Sequence, residues 1–184
     1  MMNNMMANMN ILEGFETVCR ELGIEAGEPD IMHLPPRRSD EPIINGRMKA
    51  NICAQAISIF VAVGGAFLLT LTGRLGCVGL EGSIDTARTV ALATLVCSEL
   101  FRAYSARSER LSVFSLGLFS NKLMNLSVGA SLLILLAVVY IPGVNSIFEN
   151  VALPFMSWLV ILPIALLPFI VGEIHKFIAL RLHK

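Results

Sequence analysis

The chain is 184 residues long, 55% hydrophobic and 15% charged, with a formal net charge of zero. Its mean hydropathy of +0.70 is above that of an ordinary soluble domain and points to a membrane protein. The balanced charge gives no footing for nucleic acid. The four cysteines, Cys19, Cys53, Cys77 and Cys97, form no CxxC pair and indicate neither a metal site nor a disulfide framework.

The charge is unevenly placed: eight of the fourteen acidic residues precede residue 42. The opening MMNNMMANMN lacks the basic-then-apolar pattern of a secretory leader, so membrane targeting is expected from the first apolar span. Residues 1–48 hold no apolar run long enough to cross a bilayer and read as a cytoplasmic N-terminal segment. Within them Leu12, Phe15, Val18, Cys19 and Leu22 recur at helical spacing, which predicts a short amphipathic helix between Ile11 and Ile24. Pro29, Pro35, Pro36 and Pro42 forbid a continuous helix thereafter and make an extended linker.

Residues 49–182 read as a four-span membrane domain, with spans at about 50–71, 86–104, 123–141 and 151–170. Each approaches the roughly 20 residues needed to cross hydrocarbon. In the first span Ala50, Ala54, Ser58, Ala62 and Ala66 recur every fourth residue, a ladder of small side chains that lets another helix approach closely. A glycine-rich loop follows, with Asp85 as the expected N-cap of the second span. Arg102, Arg107, Arg110 and Lys122 make the next loop basic, and Asn121, Asn125 and Ser127 at the start of the third span suit helix packing. Pro142 and Gly143 end the third span, and Pro154, Pro163 and Pro168 interrupt the fourth. Trp158 and Tyr140 sit where interfacial aromatics belong. The fold class is therefore an all-α membrane protein, a four-helix transmembrane bundle preceded by a short cytoplasmic segment. Arg37, Arg38, Arg47 and Lys49 precede the first span, and the positive-inside rule places both termini in the cytoplasm.

Glu99 is the residue that composition does not explain. Ionising a carboxylate in hydrocarbon costs at least about 2.5–3.5 kcal/mol. One reading makes Glu99 an oxygen ligand for a cation at membrane depth. If Asp85 starts the helix, Glu99 lies about 21 Å along it, towards the cytoplasmic side. The other reading pairs it with Arg102, one turn away, with Arg102 reaching to the headgroups. Glu173 and Lys176 read as a surface pair beyond the last span, His175 faces the interface, and His33 and His183 stand alone. No GxxxxGK[ST] or GxGxxG phosphate loop is present. On its own the chain is not expected to be an enzyme.

Four segments carry a family resemblance. EPDIMHLPPRRSDEPII resembles the stretch joining the sixth and seventh transmembrane helices of calcium-type P-type ATPases, SELFRAYSARSERLSVF their eighth helix and following loop, SVFSLGLFSNKLMNLSV the start of the ninth, and WLVILPIALLPFIVGEIHKFIALR the tenth. The likeness runs from about Leu22 to Arg181 and makes the four spans similar to helices seven to ten. It implies a support domain for transport, partnered by the lipid bilayer and by the remaining helices or subunit of a pump. ATP, Mg2+ and Ca2+ are used by the family and none is expected to be bound by this chain alone. Glu99 falls at the position of the family's calcium-binding eighth-helix glutamate, so the resemblance implies an ion ligand there. The family's DKTG, TGE and GDGxND motifs are missing, and NILEGFETVCRELG takes the place of the apolar, aspartate-bearing sixth helix. The sequence thus predicts a C-terminal membrane domain detached from its ATP-hydrolysing machinery, as half of a split pump or a truncated remnant. The alanine ladder then suits a helix supplied from elsewhere. The alternative is a standalone membrane protein that regulates a complete pump. A small independent channel has no lined pathway or internal repeat to support it.

Overall fold

The computed structural model describes residues 46–108, 112–117 and 119–181. The amphipathic segment, the proline-rich linker, Cys19, His33, Arg110 and His183 lie outside the described residues. Among the described residues every regular element is helical, in agreement with the all-α reading. Four long helical segments make the framework: α1 (Gly46–Leu71), α2 (Ile84–Ser105), α4 (Lys122–Tyr140) and the final pair α6 (Trp158–Ala165) and α7 (Leu167–Arg181). Short turns of helix, α3 (Val113–Leu116) and α5 (Val144–Ile147), lie in the two intervening loops.

Among the described residues three segments are long and apolar enough to cross a membrane, Met48–Leu71, Lys122–Tyr140 and Phe155–Ile178. The α2 helix, expected as the fourth, is long enough at 22 residues but carries Asp85, Arg88, Glu99 and Arg102. Its position explains the difference. α2 touches α1, α4, α6 and α7, so its neighbours cover much of its surface. Buried hydroxyls on it are satisfied by its own backbone: Thr94 Oγ1 donates to the Val90 carbonyl at 2.7 Å and Ser98 Oγ to that of Thr94 at 2.7 Å. Such i−4 bonds let polar side chains sit inside a bundle without an unpaired donor. Small residues fill the crossings. Ala62, Ala66, Ala87, Ala93 and Ala165 are each at most 1% exposed, which brings helix backbones close together. Leu80, Leu135, Val139, Leu153 and Ile161 complete the core.

Local chemistry moves several predicted boundaries. Ser83, not Asp85, caps α2: its backbone is extended and its hydroxyl accepts from Thr86 N at 3.2 Å, whereas Asp85 already lies in the first turn. The last span does not start at residue 151. Pro154 holds an extended backbone and disfavours helix in the residue before it, so the helical path begins with a 3-10 turn at Phe155–Ser157. The Leu153 carbonyl instead accepts from Tyr140 Oη at 3.0 Å, and Trp158 Nε1 donates to that same Tyr140 oxygen at 2.7 Å. The path breaks once more at Leu166, between Pro163 and Pro168, both of which lack a backbone donor. This later start carries the last span on to Ile178, so that Glu173 and Lys176 fall within it.

The loop after α2 is tied back to the bundle. Arg107 donates to the Gly117 carbonyl and to Ser120 Oγ, both at 3.0 Å. Of the three polar residues that open α4, Asn121 caps the helix by accepting from Met124 N, Asn125 accepts from Tyr104 Oη at 3.0 Å across to α2, and Ser127 is exposed. On the opposite loop Gly79 has a φ of +77°, and a side chain there would also meet Pro154 Cγ at 3.3 Å.

Candidate functional site

The C-terminal third of α2 takes part in two carboxylate systems, one built on Glu99 of α2 itself and one on Glu173 of α7. On the open side of α2 Arg102 donates twice to Glu99, from Nη2 at 2.6 Å and from Nε at 2.9 Å. Both contacts fall on Oε2, which leaves Oε1 outside the pair. The side chains are 42% and 40% exposed for Glu99 and Arg102. The helix spacing alone creates this pair, because residues three apart lie on one face. Glu99 is thus ion-paired to Arg102 through Oε2, and its Oε1 takes no part in that pair.

The seam between α1 and α2 runs past this pair. An apolar groove of about 620 Å³ is lined by Phe60, Val63, Gly64 and Phe67 of α1 and by Ala91 and Leu95 of α2. A more polar cavity of about 350 Å³ is lined by Asn51 and Gln55 of α1, by Arg102, Ser105 and Ser108, and by Lys176 of α7. Ala56 and Ile59 line both. On α2 the groove is lined as far as Leu95 and the cavity from Arg102 onwards; Glu99 lies between these two along the helix and lines neither. On the small-residue ladder Ala62 and Ala66 are buried by this chain's own helices, Ala54 and Ser58 are half-buried, and Ala50 is exposed. The face left open on α1 is the neighbouring one, around Phe60.

The second system corrects the sequence reading of Glu173 and Lys176. They do pair, at 2.8 Å, but not at the surface: their side chains are 13% and 4% exposed. Glu173 gathers four donors. Lys176 Nζ and Ser105 Oγ, at 2.9 Å, reach Oε1, while Ser112 Oγ at 2.7 Å and Val113 N at 3.3 Å reach Oε2. Lys176 Nζ also donates at 2.6 Å to the Ser105 carbonyl, at the last residue of α2. A helix end leaves such carbonyls without intrahelical partners. Here a lysine from another helix supplies one. Gly172 makes the approach possible, since a Cβ there would lie 3.1 Å from both Gln55 Nε2 and Ser105 Oγ. Sequence spacing shows the Glu173–Lys176 pair but not the serines about 70 residues earlier that enclose it. The available signal was Gly172 itself, a small residue directly before the only acid of the last helix.

Comparison with known proteins places these helices. The family model described as "Cation transporting ATPase, C-terminus" matches residues 19–178. The chain is 33% identical over 159 residues to "Calcium-transporting ATPase 1" of Yarrowia lipolytica, covering 86% of this chain and 16% of that protein. It is 31% identical over 157 residues to "Calcium-transporting ATPase type 2C member 2" of Mus musculus, covering 85% and 16%. For the "Calcium-transporting ATPase" of Bacillus subtilis the figures are 29% over 147 residues, 80% and 16%. The chain thus spans about one sixth of the length of these relatives. With most of its length matched, including the long helices described above as far as Ile178, the chain belongs to the C-terminal domain family of cation-transporting ATPases.

Proposed function

We propose that the chain forms the membrane-embedded support bundle of a calcium-type P-type ATPase. ATP hydrolysis and phosphorylation, with ATP and Mg2+, are assigned to polypeptide outside these residues, whether in the same chain or another. The observation that carries this reading is the family match over residues 19–178. Calcium is the proposed cargo, because the relatives cited bear that name. Within the bundle Glu99 offers Oε1 to the cation pathway at the α1–α2 seam, with Arg102 holding Oε2. α2 is the fourth crossing, enclosed by the three more apolar ones, and both chain ends face the cytoplasm.

The test is calcium uptake by vesicles in which the chain is assembled with the phosphorylation-competent remainder of the pump. Uptake is expected to need the chain, and Glu99→Gln is expected to raise the calcium concentration for half-maximal uptake by about tenfold, one charge-assisted contact at 1.4 kcal/mol per decade. Uptake indifferent to the chain defeats the reading. Equal calcium dependence in wild type and Glu99→Gln removes Glu99 from the pathway.

A further inference from the structure

We propose that Lys176 and Glu173 are positioning residues for Glu99: they lock the C-terminal end of α2 in place and so fix where its carboxylate points. The idea rests on the proposed role of Glu99 and adds residues from another helix to it.

Three observations converge on α2. Lys176 Nζ holds the Ser105 carbonyl at 2.6 Å, so α7 grips the backbone of α2 as well as a side chain. Glu173 holds the Ser105 hydroxyl at 2.9 Å, so the grip has two points on one residue. Ser105 is 2% exposed and Gly172 packs directly against it, which leaves no room for a sideways shift. Two bonds to one buried residue set both the rotation of α2 and its height. Glu99 lies six residues earlier, about 9 Å along the same rigid helix. A turn of α2 by one residue's worth, about 100°, would carry Glu99 to another side of the helix. The same carboxylate also holds Ser112 and Val113, which begin α3, so the loop leaving α2 is tied to the same point. Arg102 cannot perform this task. It sits on the same helix as Glu99 and moves with it.

Two readouts separate positioning from bulk stability. The first is the lineshape of a nitroxide on Leu95→Cys, one turn before Glu99, in the full chain with Cys19, Cys53, Cys77 and Cys97 replaced by alanine. Lys176→Met is expected to change that lineshape, while Tyr140→Phe, at the other end of the bundle, is expected to leave it alone. The second is calcium uptake by the assembled pump. Lys176→Met is expected to raise the half-maximal calcium concentration at least fivefold with little loss of maximal rate per assembled pump. The same change on a Glu99→Gln background is expected to give no further shift. Lys176→Arg, which keeps the charge, is expected to recover part of the effect. An unchanged nitroxide lineshape in Lys176→Met overturns positioning, whatever Glu99 does. So does a calcium shift that adds in full to that of Glu99→Gln. If the lineshape changes but Glu99→Gln itself leaves the calcium dependence unaltered, the positioning of α2 stands and the ion role of Glu99 is what fails. Should Lys176→Met not assemble, Ser105→Ala removes the hydroxyl point of the grip and leaves the carbonyl point in place; a smaller change in both readouts is then expected, and an unchanged lineshape overturns the grip through Glu173.

Discussion

Two acid–base pairs with the same three-residue spacing sit on neighbouring helices, and they are predicted to differ severalfold in what their loss costs. Glu99 and Arg102 are about 40% exposed, and among the described residues their side chains bond only to each other. Such pairs contribute about 0–1 kcal/mol. Lys176 is 4% exposed and serves two acceptors, the Glu173 carboxylate and the Ser105 carbonyl. Removing one member of a buried pair costs about 3–5 kcal/mol, because the other is left uncompensated. Glu173 retains three other donors when Lys176 is lost, which places Lys176→Met near the lower end, at about 3 kcal/mol. Glu173→Leu strands those three donors as well, at about 1 kcal/mol each, so it is expected to cost about 4 kcal/mol or more. The double variant removes both charges together and is expected to fall short of the sum by about 1.5 kcal/mol or more. The assay is reversible unfolding in mixed micelles, followed by helical circular dichroism and by fluorescence of Trp158, the only tryptophan. Arg102→Ala is the internal reference. If Lys176→Met and Arg102→Ala prove equally mild, or if the double variant is fully additive, the burial argument for the second pair is wrong.

Three further outcomes follow from single contacts. Gly172→Ala brings a methyl to 3.1 Å of Ser105 Oγ and Gln55 Nε2, so an overpacking loss of about 1–2 kcal/mol is expected in the same unfolding assay. Tyr140→Phe removes the acceptor for Trp158 Nε1 and the donor to the Leu153 carbonyl; it should cost about 1 kcal/mol and shift the Trp158 emission maximum. Arg88 reaches Glu149 at 3.2 Å with more than half of each side chain exposed, so Arg88→Ala is expected to change stability by less than about 0.5 kcal/mol, and less again in high salt.

The sequence made the apolar rods legible and left their contacts hidden. α1 and α4 were placed to within a few residues, because a uniformly apolar helix must match the bilayer in length. The last helix was misplaced at its start because Val151, Ala152 and Leu153 are as apolar as the residues that follow. Only Pro154, with the Tyr140 hydroxyl bound to the Leu153 carbonyl, decides that those residues stay extended. Asp85 and Ser83 are both good caps by residue type, and only the backbone of Ser83 distinguishes them. Glu99 and Arg102 were readable as a pair because their chemistry is local to one helix. Glu173 was readable as half of a pair, but its enclosure depends on Ser105, Ser112 and Gly172 meeting at one point, which no helical period encodes.

The least apolar of the long helices is also the one with the most neighbours, and the two facts have one cause. A helix facing lipid must be greasy all round, whereas an enclosed helix needs only to satisfy its polar groups. α2 does so in three ways. Its hydroxyls turn back onto its own carbonyls, its end is held by Lys176 from α7, and its charged residues Asp85 and Arg88 lie in its first two turns. Glu99 fits none of these. It lies four turns into the helix, half-exposed, and among the described residues its one ion-pair partner is on its own helix. Glu173 is the contrasting case: a carboxylate meant to be silent within this bundle is ringed by four donors drawn from three segments. Under the proposed function, the incomplete ring around Glu99 is the place for a partner from outside the bundle.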